Sequence, residues 1–160
     1  MRVFRCGNST TTAAIIAGVD WVTGNHHASE PAVANMSLGG GANTSLDTAV
    51  RNMIANGVSC AIAAGNGNIL CFPVNSCNQS PARVAEGTTV GASDINDAKA
   101  MASQHVAGVA ALFLQNNQSP SPALVQQTIK DLSTKVVVTG TSGGLFGGST
   151  PNNHLLFTNF

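Results

Sequence analysis

Four segments of the chain place apolar residues every three or four positions, which is the spacing of one face of an α-helix. In the first of them Ile15 and Val19 fall on one face, and Asn8, Ser9 or Thr10 is available as a cap. Glycine follows the second segment and proline opens the fourth, where helices favour these residues. The predicted helices are Thr10–Val22, Leu46–Asn56, Met101–Gln115 and Pro120–Leu132.

Three short runs between these helices are mostly apolar, with few polar residues. Strands of this kind need helices on both faces, because neither face can be left in water. The predicted strands are Ala32–Leu38, Val58–Ala64 and Thr88–Ala92, and glycine follows each of the first two directly. The alternation of helices and strands predicts an α/β fold with a mainly parallel sheet flanked by helices.

The length of 160 residues suits one domain, residues 1–160. After Lys135 a β-branched run, Val136–Val138, is a plausible strand, but the glycine-rich stretch Gly140–Gly148 that follows is poorly suited to regular structure. We therefore expect residues 136–160 to form a glycine-rich C-terminal tail.

The charge of the chain excludes some classes of partner. Seven Lys and Arg balance seven Asp and Glu, and only 9% of the residues are charged. Nucleic-acid binding is therefore not expected, and weak charge repulsion favours self-association. No apolar stretch reaches the length of a membrane span, and no apolar run follows the positive charges at the start, so we expect neither a span nor a signal peptide in this chain.

The four cysteines do not suggest a metal site. Cys6, Cys60, Cys71 and Cys77 lack the C-x-x-C spacing of structural zinc sites, and no histidine stands at a finger-like separation from them. We expect no metal here. Cys71 and Cys77 lie in a loop-like segment, Asn66–Arg83, where they could close a small ring.

Six collinear motifs together resemble the subtilisin-like serine peptidases, specifically their secreted, proteinase K-like branch. They are AIIAGVDWV, VANMSLGGG, AIAAGNGN, SPARV, TVGASD and HVAGVAALFLQ, and the similarity extends from about Arg2 to Leu132. The resemblance implies a partial subtilisin-like three-layer fold, a hydrolase ancestry and secretion.

The same resemblance implies a peptide site. The residues matching the strand that pairs with an extended substrate are Ser37, Leu38, Gly39 and Gly40, and those matching the side-chain pocket are Ala63, Ala64 and Gly65. Asn66 matches the oxyanion-hole amide, which stabilises a developing alkoxide; a loop asparagine that holds a turn is the other interpretation. A peptide is therefore the expected partner.

The catalytic triad, in contrast, is not matched. The Gly-Thr-Ser-Met motif of the family corresponds to Ala98–Met101, which places Ala100 where the nucleophilic serine stands, and the Asp and His motifs precede the first residue of this chain. A stretch that the family carries between the Val-Gly-Ala-Ser-Asp motif and that serine is also missing, since Asp94 is seven positions from Met101. We expect a truncated homologue without normal proteolysis, expressed from an internal start.

Further consequences follow from the resemblance. Cys6 and Cys77 match half-cystines whose partners fall in the missing stretches. The calcium site of the family uses carbonyl groups near positions matching Ala85 and Gly87 with a later aspartate that this chain lacks, so no calcium or other cofactor is expected.

Two other functions remain open. One is an atypical esterase or lipase acting on small esters. Its candidates are Ser142, which fits a G-x-S-x-G pattern, and Ser103, with His154 or His105 as base. No Asp or Glu stands between Ser142 and His154, and residues two apart on a helix, such as Ser103 and His105, point about 200° apart. The other is a non-enzymatic module that binds peptides or pairs with a second copy through an exposed strand edge.

Overall fold

The computed structural model describes residues 3–4, 9–27, 29–65, 75–91, 102–135 and 154–155. Its helices are α1 (Thr12–Asn25), α2 (Thr44–Ala55), α3 (Ala102–Asn116) and α4 (Pro122–Leu132), with a short 3₁₀ helix at Ser76–Asn78. Its strands are β1 (Ala32–Met36), β2 (Gly40–Gly41), β3 (Val58–Ala63), β4 (Gln79–Ser80), β5 (Thr88–Val90), β6 (Thr134–Lys135) and β7 (His154–Leu155). All four predicted helices and all three predicted strands are present.

The central sheet has the order β1–β3–β5, and both pairs of strands are parallel. Ala32 is opposite Val58 at one end of the first pair, and Met36 is opposite Ile62 at the other. This arrangement confirms the predicted α/β fold with a parallel sheet flanked by helices.

Helices cover both faces of the sheet. The side chains of β3, which alternate between the faces, pack against different helices on each side. Val58, Cys60 and Ile62 belong to the core cluster shared with α1 and α2, whereas Ala61 belongs to the cluster shared with α3 and α4. The centre of the first cluster is fully buried, with Val50 and Ile62 at 0% exposure. The fold therefore has three layers, as the family resemblance implied.

Helix α1 begins later than predicted. Its N-cap is Thr11, whose hydroxyl accepts a hydrogen bond from the backbone N–H of Ala14 at 3.2 Å, so the predicted caps at Asn8, Ser9 and Thr10 are wrong. The helix also continues past Val22 to Asn25, whose side chain donates to the carbonyl of Trp21 at 2.7 Å. Three consecutive threonines made the starting residue ambiguous in the sequence.

Strand β1 ends at Met36, two residues before the predicted end at Leu38. The glycines that follow, predicted as loop, form β2 and pair antiparallel with β4, with Gly40 opposite Ser80. In the region predicted as a tail, β7 pairs antiparallel with β6, so His154–Leu155 has regular structure. The other residues of that region, including Val136–Val138, lie outside the described residues.

Two glycine-to-alanine substitutions are expected to act in opposite directions. Gly57 follows α2 with φ of +105°, and a Cβ there would lie 3.2 Å from Cε1 of His26. Gly57→Ala should therefore lower the free energy of unfolding by about 1–2 kcal/mol. Gly108 lies inside α3 with nothing within 4 Å of a Cβ, so Gly108→Ala should raise it by about 0.5–1 kcal/mol. Urea unfolding measures both, and the same sign for the two would contradict the assigned backbone conformations.

Candidate functional site

The parallel strands β1 and β3 bring two of the predicted substrate-binding segments to one edge of the sheet. Their last paired residues are Met36 and Ile62, so Ser37–Gly39 and Ala64–Gly65 leave the sheet side by side. The backbone N–H of Ala64 donates to the carbonyl of Val90 at 2.9 Å, which fixes the end of β3 against β5. The predicted set Ser37, Leu38, Gly39, Gly40, Ala63, Ala64 and Gly65 thus lies at this edge.

The segment Ser37–Gly39 has no partner strand among the described residues, and Ser37 and Gly39 are exposed. Leu38 is half-buried and packs against the core shared with α1 and α2. An exposed segment held by one half-buried side chain suits the addition of an extended peptide as a further strand.

Small residues line the end of β3. Gly65 is exposed, has φ of +98°, and would have nothing within 4 Å of a Cβ. Ala63 and Ala64 are half-buried and precede it directly. These residues leave room for a substrate side chain beside the exposed segment.

Ser80 joins the strand Gly40–Gly41 to the start of α2. No sequence pattern pointed to this role. The Ser80 hydroxyl accepts from the backbone N–H of Asn43 at 2.8 Å and lies 3.3 Å from the Asn43 carbonyl. Asn43 also caps α2 by accepting from the N–H of Leu46 at 3.0 Å. An asparagine just before the helical pattern signalled the cap, but nothing local signalled its bond to Ser80.

A group of polar side chains joins α3 to the end of β1. The hydroxyl oxygens of Ser37 and Ser103 are 2.9 Å apart, and the amide of Asn35 donates to Ser37 at 3.1 Å. Ser103 is 1% exposed. In this position Ser103 braces the exposed segment and is closed to an ester substrate.

Ser103 and His105 both lie on α3, which begins at Ala102. The helical geometry that points their side chains about 200° apart therefore applies, and His105 is exposed whereas Ser103 is buried. The structure does not bring these two candidates together.

Several predicted residues fall outside the described residues: Asn66, Ala100, Ser142, Cys6 and Cys71. His154 is placed by its backbone in β7, with Leu155 beside it. Asn66 directly follows Gly65 in sequence.

Two thiols are described, and both are free. Cys77 is exposed in the 3₁₀ helix, so the structure does not contain the predicted ring between Cys71 and Cys77. Cys60 is buried in β3, where desolvation raises the pKa of its thiol to about 12. A thiol that stays protonated in an apolar layer has a packing role.

The described residues contain no cluster of three His, Cys, Asp or Glu side chains able to hold a metal ion. A cavity of about 10 Å³ between β3 and helices α3 and α4 has room for about one water molecule, so it is not a ligand site. In the part of the chain described, no helix combines the length and apolar character needed to cross a membrane.

Comparison with known proteins decides the family. The sequence profile of the Subtilase family matches residues 1–104. The chain belongs to the subtilase family. The fold agrees, since a crystal structure of a cold adapted subtilisin-like serine proteinase superposes with a TM-score of 0.85 and 36% identity, covering 99% of this chain and 66% of that one.

Two curated subtilases extend the comparison. Alkaline serine exoprotease A of Vibrio alginolyticus is 41% identical over 179 residues, which cover 91% of this chain and 32% of that protein. The extracellular serine proteinase of a Thermus species is 37% identical over 196 residues, which cover all of this chain and 45% of that protein. This chain therefore spans less than half the length of either relative.

Both alignments, at 179 and 196 positions, are longer than the 160 residues of this chain. Gaps must consequently fall within this chain in each alignment. Both relatives thus carry residues inside the aligned range that have no counterpart here.

Proposed function

We propose that this chain is a subtilase scaffold that binds extended peptides along Ser37–Gly40 without the serine-dependent proteolysis usual in its family. The observation that carries the proposal is the position of Ser37–Gly39, which has no partner strand among the described residues, exposes Ser37 and Gly39, and lies next to the small residues that end β3. A peptide laid along it would form main-chain hydrogen bonds and place a side chain near Ala64 and Gly65.

The proposed loss of proteolysis rests on the sequence. Ala100 replaces the serine of the Gly-Thr-Ser-Met motif, and an alanine methyl group can neither attack a carbonyl carbon nor form an acyl-enzyme. The alignments with the two relatives contain gaps within this chain, which supports a missing internal stretch; its position between Asp94 and Met101 rests on the motifs alone. Asn66, if it acts as the oxyanion amide, would contact a bound carbonyl group that no nucleophile attacks.

The proposal extends to location and cofactors. The Thermus relative is described as extracellular, which supports an extracellular location for this chain by descent. Peptide binding along this segment requires no cofactor. Self-association through a strand edge stays a prediction, and sedimentation at several concentrations tests it.

Peptide binding is tested by fluorescence anisotropy with a labelled tetrapeptide amide, Ala-Ala-Ala-Phe. We expect saturable binding without cleavage, and at least about tenfold weaker binding of the same peptide methylated on its backbone nitrogens, since such a peptide cannot donate to a strand. Mass spectrometry of the recovered peptide detects cleavage. Equal affinity for the two peptides, or cleavage of the first, would contradict the proposal.

A matched pair of variants tests the segment itself. Gly39→Pro removes a backbone N–H from the exposed segment, whereas Gly39→Ala keeps it, and a Cβ there lies at an ordinary 3.8 Å from the carbonyl oxygen of Ser80. We expect the proline variant to bind about tenfold more weakly and the alanine variant to bind within about twofold of the original chain. Identical affinities for both variants would place the peptide elsewhere.

A further inference from the structure

The turn before β5, residues 83–87, is held to α2 by two ion pairs. Arg83 Nε lies 2.8 Å from Oδ2 of Asp47, and Arg51 Nε lies 3.3 Å from Oε1 of Glu86. Within the turn, the N–H of Gly87 donates to the carbonyl of Val84 at 3.1 Å. These contacts hold the turn against α2 but do not involve the carbonyl groups of Ala85 and Gly87.

Those two carbonyl groups meet a side chain of α4. Nε2 of Gln126 donates to the Gly87 oxygen at 2.7 Å and to the Ala85 oxygen at 3.3 Å. A primary amide has two N–H groups, so one nitrogen can satisfy both carbonyl groups. The nitrogen and not Oε1 must face them, because a third acceptor would only repel the two oxygens. The turn is thereby joined to the helical layer opposite α2.

The residues around these carbonyl groups do not fit a calcium ion of the kind that the family holds at the matching positions. Calcium takes six to eight oxygen ligands and favours carboxylates, whereas the Ala85 and Gly87 oxygens here face an N–H donor. Glu86, between them in sequence, is paired with Arg51. An N–H group and a cation cannot occupy the same place between two carbonyl oxygens.

We infer that the side-chain amide of Gln126 holds this turn in the position where a cation would hold it, so the junction between α4 and the turn does not depend on calcium. Both N–H donors belong to the side chain of Gln126, so they are present at any calcium concentration. A bound ion, in contrast, stabilises a fold by an amount that rises with the logarithm of one plus its concentration divided by Kd, and that vanishes far below Kd.

Thermal unfolding of the full 160-residue chain, with 10 mM CaCl₂ or with EGTA, tests the inference. The original chain should have the same Tm in both. Gln126→Ala should lower the Tm by about 3–6 °C in both, because two hydrogen bonds are lost. Gln126→Glu should unfold at a lower temperature in EGTA and recover by about 3 °C or more in calcium, since it places a carboxylate beside two carbonyl groups.

Two controls separate the effect from charge and from helix propensity. Gln115→Glu adds the same charge at an exposed position of α3 and should show no response to calcium. Gln127→Ala removes an exposed amide of α4, bonded to Asp131 at 2.9 Å, and should change the Tm by less than about 2 °C.

Three results would overturn the inference. The first is a calcium-dependent rise in the Tm of the original chain that Gln126→Ala abolishes, because Gln126 would then be part of a cation site. The second is an unchanged Tm for Gln126→Ala. The third is the absence of a calcium response in Gln126→Glu, which would show that no cation fits between these carbonyl groups. None of these readouts depends on peptide binding, so the inference stands or falls separately from the proposed function.

Discussion

Arg83→Leu is expected to lower the free energy of unfolding by about 3 kcal/mol, whereas Arg51→Leu should lower it by less than about 0.5 kcal/mol. Both arginines pair with a carboxylate, and the two carboxylates differ in burial. The side chain of Asp47 is 1% exposed, and that of Glu86 is 51% exposed. Loss of Arg83 would leave a buried charge without a counter-ion, while loss of Arg51 leaves Glu86 in water.

Among the described residues, the carboxylate of Asp47 has no hydrogen-bond partner, so its compensation depends on the charge of Arg83. The Nε–Oδ2 distance of 2.8 Å is that of a close ion pair, yet the N–H is not aimed to form a hydrogen bond, and neither carboxylate oxygen accepts one from a described residue. The short distance still gives a strong attraction between the two charges, because this attraction depends little on the N–H direction. Among the described residues, the positive charge of Arg83 thus compensates the buried negative charge of Asp47.

Urea unfolding of the two arginine variants gives the comparison directly. The double variant Asp47→Leu/Arg83→Leu should recover much of the stability lost in Arg83→Leu, because it removes the buried charge as well. Equal effects of the two single substitutions would show that Asp47 is hydrated in solution. A double variant no more stable than Arg83→Leu would contradict the assigned cause.

Cys60 is expected to react with iodoacetamide at pH 8 at least about a thousandfold more slowly than an ordinary exposed thiol. Burial raises its pKa from 9.0 to about 12, so its thiolate population falls by about three powers of ten, apart from any steric protection. Cys77, exposed and free, serves as the internal reference. With Cys6 and Cys71 replaced by serine, peptide mapping should find native label on Cys77 alone and label on Cys60 only after unfolding. Rapid labelling of both would contradict the burial of β3.

The raised pKa of Cys60 also predicts a pH dependence. Below about pH 9 the thiol is neutral in the folded and unfolded chain, so its contribution to stability is complete. Between about pH 9 and 12 the unfolded chain loses this proton and the folded chain keeps it, so stability should fall by about 1.4 kcal/mol per pH unit from this group. Comparison with Cys60→Ala isolates the effect, and parallel pH profiles for the two chains would contradict it.

Much of the fold follows from local patterns. Mostly apolar runs identified the three parallel strands, and the three-to-four spacing of apolar residues identified the helices. Even the buried acid had a local signal, because Asp47 stands within the apolar stripe of α2 beside Leu46 and Val50. Its partner Arg83, 36 positions away, had none.

The contacts that shape the site are long-range and could not be predicted in this way. Gly40–Gly41 has the composition of a loop and becomes a strand only because Gln79–Ser80 lies opposite. Ser103 was considered as a nucleophile, but its bond to Ser37, 66 positions away, gives it a bracing position. Gln126 belongs to a polar helix face, and only the folded turn brings two carbonyl groups to its amide.

The most direct test of a subtilase scaffold without its nucleophile is labelling of the full chain with a fluorophosphonate, followed by intact-mass measurement and peptide mapping. The reagent reacts with activated hydroxyl groups, so it tests the family chemistry and the alternative serines in one experiment. A short-chain ester assay accompanies it. We expect a folded chain with no added mass and no ester turnover. A single labelled serine, at Ser103, Ser142 or elsewhere, with turnover lost in its alanine variant, would contradict it.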